Sequence, residues 1–266
     1  MFDESPPNAW RLRFGSEPPA LPDLGKFLNH RSVRKYKPDP IDEATLAGLV
    51  GAAQSAATSS NLQLWSVVTV MDPAAREELT SMCENYRQIK DCAVFLAFVA
   101  DHYRLRRAAE AVGERAEGLG HAEFYTMAVV DAALAAERLV CAAESLGIGI
   151  CYIGALRNDP AGVRRVLDLP EGTFGVFGLC LGWPEEPLTA EIKPRLPQSS
   201  IWFREKYDHG AGVGDYDERM RAFYESQRMK GDVNWSMRSG RRVDLDHMTG
   251  RETQLEFLRE QGFLLE

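Results

Sequence analysis

Apolar positions along the chain fall into two rhythms. Short runs at 65–70 (WSVVTV), 93–100 (AVFLAFVA), 148–156 (IGICYIGAL) and 175–182 are dense in β-branched, aromatic and other apolar residues, as strands require. The run at 93–100 is apolar at every position, which predicts a strand covered on both faces. Between these runs the spacing turns helical. Asp42 is placed to cap a helix through Gln54, with Leu46, Leu49, Val50 and Ala53 on one face. Pro73, followed by Glu77 and Glu78, opens another helix, and Asp159-Pro160 opens a short one reaching Leu167. The alanine-rich stretch 122–146 is apolar nearly all round. Such a helix is buried, either in the core or against a second copy of itself.

The pattern weakens toward both ends. Residues 1–21 are rich in proline and polar residues and read as an N-terminal arm; residues 22–29 carry a short helical signal that "HRSVRKYKPDP" breaks. Residues 102–120 are charged and glycine-punctuated, an insertion or a solvent-facing helix. Beyond 197 the composition shifts again. "YDERMRAFYESQRMK" predicts an amphipathic helix, 229–251 reads as mobile, and "TQLEFLREQGF" predicts a closing helix. Strands and helices interleave without strict alternation, which predicts an α+β fold. The division expected is an arm at 1–21, a core at 22–207 and an extension at 208–266, partly mobile.

Composition narrows the function. The chain has 266 residues and a formal charge of −8, which argues against a general nucleic-acid binder. Any anion site must be a local positive pocket in an acidic protein, as a small phosphorylated ligand would need. The five cysteines have no C-x-x-C pairing, so neither a zinc site nor a disulfide framework is signalled, and no metal is expected. His102, His121, His209 and His247 lie on polar stretches and are expected at the surface. No apolar run approaches a membrane span, and the acidic N-terminus does not read as a signal peptide, so a cytoplasmic location is expected.

Four polar clusters could carry chemistry. "IKPRLP" at 192–197 places Lys193 and Arg195 two residues apart around a proline. Proline favours an extended backbone, and side chains at i and i+2 then point the same way, giving a stiff two-cation fork. "HRSVRKY" at 30–36 offers an imidazole, two guanidiniums and a hydroxyl, a set suited to phosphate oxygens. "TSSNLQLW" at 58–65 supplies hydroxyl and amide groups, and "YIGALRN" at 152–158 has small residues at a strand end where a backbone can approach a flat ligand. Each cluster alone also reads as a solvated charge run or a tight turn. There is no G-x-G-x-x-G, P-loop, H-E-x-x-H or G-x-S-x-G. Nothing pairs a nucleophile with a base, so the chain looks built to hold something.

These four clusters, in this order and with these intervening strands, resemble the nitroreductase superfamily of flavoproteins. The likeness is greatest to its oxygen-insensitive, NADPH-dependent branch, which includes flavin reductases. It rests on "HRSVRKY", "AAQSAATSSNLQLWSVV", "AAESLGIGICYIGALRNDPAGVRRVLDLP" and "FGLCLGWPEEP…KPRLP", and covers roughly 27–207. The resemblance implies a central mixed, mainly antiparallel sheet flanked by helices, in an intertwined homodimer with FMN at the subunit interface. His30, Arg31 and Ser32 would hold the phosphate with Lys193 and Arg195, and Arg34 would lie near the flavin N1–O2 edge. Ser59, Asn61 and Gln63 would contact the ring, as would Tyr152, Ile153, Gly154 and Ala155, the last two through amides at the N5–O4 edge. Alanine stands at 155 where close relatives carry glycine.

The implied reaction is hydride transfer from NADPH or NADH through flavin N5 to a nitroaromatic, quinone or flavin acceptor, by ping-pong kinetics. No catalytic acid or base is implied. Of the basic residues Arg228, Lys230, Arg238, Arg241 and Arg242, Arg228 and Arg238 would read the NADPH phosphate, and Tyr86 or a neighbour stands where relatives place a glutamine. The alternatives are a specialised member, such as a reductive dehalogenase or flavin-processing enzyme, or a protein that stores or senses FMN without turnover.

Overall fold

The two rhythms resolve into one antiparallel sheet and a set of helices around it. The computed structural model describes residues 4–187, 189–229, 231 and 233–266; Lys230 lies outside the described residues, as do the first three of the arm. In chain order the helices are α1 Pro6–Phe14, α2 Glu43–Gln54, α3 Pro73–Met82, α4 Gln88–Asp91, α5 Tyr103–Ala111, α6 Ala122–Ser145, α7 Pro160–Val166, α8 Tyr216–Ser226, α9 Trp235–Arg242 and α10 Gln254–Glu260. The strands are β1 Trp65–Val70, β2 Val94–Asp101, β3 Gly149–Ile153 and β4 Thr173–Gly182. The described chain divides into two compact units, one made of 1–31 with 190–248, the other of 32–189 with 249–266.

The larger unit holds the sheet, in the order β1-β2-β4-β3, every pair antiparallel. A parallel bridge between Ser32 and Ile150 makes it mixed, as expected. All eight residues of β2 are buried. They alternate, as a pleated strand must: Val94, Leu96, Phe98 and Ala100 face a cluster with α2 and α6, while Phe95 and Ala97 face a second cluster with α3 and α7. Gly149 permits the bridge at the sheet's edge, since an added Cβ would lie 2.8 Å from the Val33 side chain. α6 buries Ala128, Ala132, Ala135, Ala136, Leu139 and Ala143, yet Val130 and Leu134 stay 46% and 44% exposed.

His102 departs from its expected place at the surface. It is fully buried, with Nε2 3.1 Å from the Phe124 carbonyl and its ring 4.4 Å from that of Phe263. The aromatic carried in by the C-terminal segment covers it, which the polar sequence around His102 does not reveal.

The smaller unit joins α1, the 190–197 segment, α8 and α9. Residues 6–14 form a helix rather than a loose arm: Pro6 and Pro7 suit its first turn, and Gly15 at φ 66 ends it. Its Ala9, Trp10 and Arg13 are buried. Tyr216, Met220 and Tyr224 of α8 form a small core with Trp235 at the start of α9. Asn234 caps α9 by accepting from the Met237 amide, so this stretch of the 229–251 segment is an ordered helix.

Candidate functional site

In the smaller unit the proline-separated fork is built as its sequence suggests. Ile192 and Pro194 are buried while Lys193 and Arg195 are exposed, so alternate side chains of an extended segment point to opposite sides. Tyr216 Oη donates to the Pro194 carbonyl at 3.1 Å and fixes the buried side. Among the described residues Arg195 has no carboxylate partner; its Nη1 reaches only the Lys193 and Pro194 carbonyls, each at 3.4 Å.

What brings this fork to the "HR" cluster is Arg13, which sequence reasoning placed in the arm and did not single out. Its guanidinium, 5% exposed, donates to three carbonyls: Leu28 at 2.8 Å, His30 at 2.6 Å and Lys193 at 3.2 Å. The Arg195 amide donates back to the Arg13 carbonyl at 2.8 Å, and Arg219 donates to the Arg13 and Arg195 carbonyls at 2.9 and 3.2 Å. Each interaction uses a main-chain carbonyl. The backbones of His30 and Lys193 are thereby fixed around one buried cation, while His30 and Arg31 stay half-buried and Lys193 and Arg195 exposed. Four basic side chains are thereby concentrated in an acidic protein, a set suited to an anion.

A cavity of about 620 Å³ opens in the same unit, lined by Lys193, Arg195, Tyr216, Tyr224, Trp235, Arg238 and Arg241 among others. Arg238 lies over the Tyr224 ring at 5.6 Å. Arg228, in a left-handed turn at φ 54, is not among the lining residues.

In the larger unit Ser32 and Arg34 run beside β3, with the Val33 amide donating to the Ile150 carbonyl at 2.9 Å. Val33 is buried and Arg34 exposed. The 58–64 loop is unusual: Ser60, Asn61 and Gln63 all have positive φ, at 50, 56 and 52°. Non-glycine residues hold that conformation only where surroundings impose it. Here Asp131, fully buried on α6, accepts from the Ser59 amide at 3.0 Å and from the Leu64 amide at 3.1 Å. The loop's two ends are thus clamped by one carboxylate; between them Leu62 packs against the core while Ser60, Asn61 and Gln63 are exposed. An aspartate in an otherwise alanine-rich helix was the available signal.

At the end of β3, Gly154 and Ala155 begin a 3-10 turn. Tyr152 donates its hydroxyl to Glu137 at 3.1 Å, and burial raises its pKa. Ile153 is buried in the sheet's second face. Tyr86 is partly exposed, with its hydroxyl 2.8 Å from Glu84. Among the described residues no cluster of histidine, cysteine or carboxylate groups could hold a metal ion, and no helix is long and apolar enough to cross a membrane.

Two groups therefore stand out: a stapled cationic set suited to a phosphate, and a clamped polar loop and amide-bearing turn suited to a flat heterocycle. Comparison with known proteins gives the family. The model of the nitroreductase family matches residues 28–183, and that of the nitroreductase family C-terminal domain matches 193–266. The chain belongs to the nitroreductase family, and its antiparallel sheet with flanking helices is that family's fold. An NADPH-dependent oxidoreductase of Staphylococcus epidermidis is 36% identical over 87% of this chain and 92% of its own length. An FMN reductase (NADPH) of Bacillus subtilis is 34% identical over 89% and 96%. Among solved structures, NfrA1 of B. megaterium superposes with a TM-score of 0.83 at 33% identity, covering 89% of this chain and 97% of that one. The NADPH:FMN oxidoreductase of Vibrio harveyi, complexed with NAD+, gives 0.77 at 30%, covering 89% and 96%. The donor set fits FMN: basic side chains for a phosphate dianion, and neutral amide and hydroxyl groups for a ring edge.

Proposed function

We propose that the protein is an FMN-dependent NAD(P)H oxidoreductase acting on nitroaromatic, quinone or flavin acceptors. Bound FMN supplies the hydride chemistry between nicotinamide and acceptor; the chain's own residues bind, orient and set the local field. His30, Arg31, Lys193 and Arg195 hold the phosphate, with the Ser32 hydroxyl as a further donor. Arg34 is the cation for the N1–O2 edge, where two-electron reduction places negative charge. Ser59, Asn61 and Gln63 present polar side chains to the ring. Tyr152 to Ala155 present backbone, with the Gly154 and Ala155 amides at the N5–O4 edge. No side chain is assigned a proton transfer.

The observation that carries this reading is the Arg13 staple, which ties the His30 and Lys193 backbones together and so gathers their basic side chains with those of Arg31 and Arg195. The formed cavity beside α8 and α9 supports turnover rather than storage, because aromatic walls and Arg238 suit a dinucleotide donor. NADPH is the donor favoured by that arginine. A homodimer is supported by Val130 and Leu134, which a second copy of α6 would cover.

The test is direct. The purified protein is expected to be yellow, and anaerobic addition of NADPH or NADH to bleach it rapidly. No bleaching with either nucleotide would reject the catalytic reading.

A further inference from the structure

The C-terminal segment of the larger unit sends one residue back to the 154–158 turn. Arg251 Nε donates to the Asn158 side-chain oxygen at 2.8 Å, and its Nη2 donates to the Gly154 carbonyl at 3.2 Å. The approach is close enough to dictate the preceding residue. Gly250 sits at φ 86, and a Cβ there would lie 2.4 Å from the Asn158 carbonyl oxygen, so only glycine fits. On the turn's other side, Arg157 Nη1 donates to the Val176 carbonyl at 2.5 Å and anchors it to β4. The turn is held from both flanks by guanidiniums, one local and one reaching back over 93 residues.

The Gly154 carbonyl and the Ala155 N–H belong to the same peptide unit. A cation donating to the oxygen of a peptide draws electron density toward it and makes its N–H a stronger donor. Ala155 is 4% exposed, so water screens this effect weakly.

We propose that Arg251 is a positioning residue for the bound flavin, acting through the Gly154–Ala155 peptide. It fixes the turn's geometry and strengthens the Ala155 N–H as a donor toward the N5–O4 edge. This rests on the FMN reading above. It gives the C-terminal segment a part in setting the cofactor's electron affinity, a role distinct from holding the phosphate. A neutral side chain at 251 could restore the geometry without the polarisation, and a lysine could restore the charge without the planar fork.

The experiment uses the full-length holoprotein and compares wild type with Arg251→Gln and Arg251→Lys. The readouts are the flavin midpoint potential by dye-coupled titration, amide hydrogen exchange across 154–158, and the FMN dissociation constant. Arg251→Gln is expected to lower the potential, speed exchange in the turn and slow anaerobic reduction by NADPH about tenfold. FMN affinity, dominated by the phosphate contacts, is expected to change less than about threefold. Arg251→Lys is expected to recover part of the potential, which a purely structural role would not produce. If Arg251→Gln does not fold, Arg251→Lys alone decides, by a potential and exchange pattern different from or identical to wild type. A wild-type protein that binds no FMN rejects the flavin reading itself. A wild type that binds FMN, with potential and exchange unchanged in the variants, overturns this proposal alone.

Discussion

Arg13 Nη2 donates to the His30 carbonyl at 2.6 Å while Nη1 of the same guanidinium donates to the Lys193 carbonyl at 3.2 Å. Two stretches some 160 residues apart in sequence are thus held by one buried side chain. Arg13→Ala would strand the Leu28 and His30 carbonyls and leave that of Lys193 only its long contact with Arg195, each stranded group costing about 1–3 kcal/mol when buried without a partner. The expected result is a loss of about 3 kcal/mol in urea unfolding, together with at least a tenfold weaker FMN dissociation constant by fluorescence titration. Unchanged FMN affinity in a destabilised variant would separate the staple from the phosphate set.

Removing both cations of the fork tests the phosphate assignment. Charge-assisted hydrogen bonds contribute about 1.5–3 kcal/mol each, so Lys193→Ala with Arg195→Ala should weaken FMN by about 100-fold or more and yield largely colourless protein. Riboflavin, which lacks the phosphate, is expected to bind wild type and variant alike. Full retention of FMN by the double variant would move the phosphate elsewhere.

Asp131 offers a cleaner test of the loop. Asp131→Asn keeps the shape but turns one acceptor into a donor facing an amide N–H. A cost of about 2–3 kcal/mol is expected in chemical denaturation. Hydrogen exchange at Ser59 and Leu64 should accelerate, because these are the two amides the carboxylate accepts from. Protection unchanged at both would show that the left-handed loop is held by other contacts.

His102 predicts a pH dependence with a definite sign. Burial lowers its pKa below the ordinary value, with Arg106 adding in the same direction and Asp101 and the Phe124 carbonyl opposing. The folded state therefore binds fewer protons than the unfolded state once pH falls below about 6.5. His102 then contributes no penalty above that pH, and stability declines as pH falls from there toward its folded value. His102→Gln should show a shallower decline in urea midpoint between about pH 6.5 and 5 than wild type. Parallel profiles would exclude His102 as the group responsible.

Much of the fold was legible because its signals are local. Strand β2 announced itself as the unbroken apolar run 93–100, and the strand observed, Val94–Asp101, is buried throughout. The caps at Asp42 and Asp159 each accept an amide of the first turn, as their positions before helical runs suggest, and Asp72 does the same ahead of Pro73. The fork at Lys193 and Arg195 was readable too, since proline and a two-residue spacing fix direction without tertiary help. Helix α1 was less legible: its prolines read as an arm, and only burial of Ala9, Trp10 and Arg13 distinguishes it from one.

The residues that hold the candidate site in place were hidden for a single reason. Arg13, Asp131 and Arg251 bind mostly to backbone carbonyls and amides far away in sequence, and every residue type presents the same backbone groups. Such partners leave no mark on the sequence of the segment they fix. Side-chain chemistry, by contrast, is written in residue identity, which is why the phosphate-type cations and the amide-rich loop could be named from the chain alone. The sequence determined which groups the protein has to offer a flavin. Tertiary structure decided which of them are fixed in position, because that depends on long-range bonds to the main chain rather than on any local pattern.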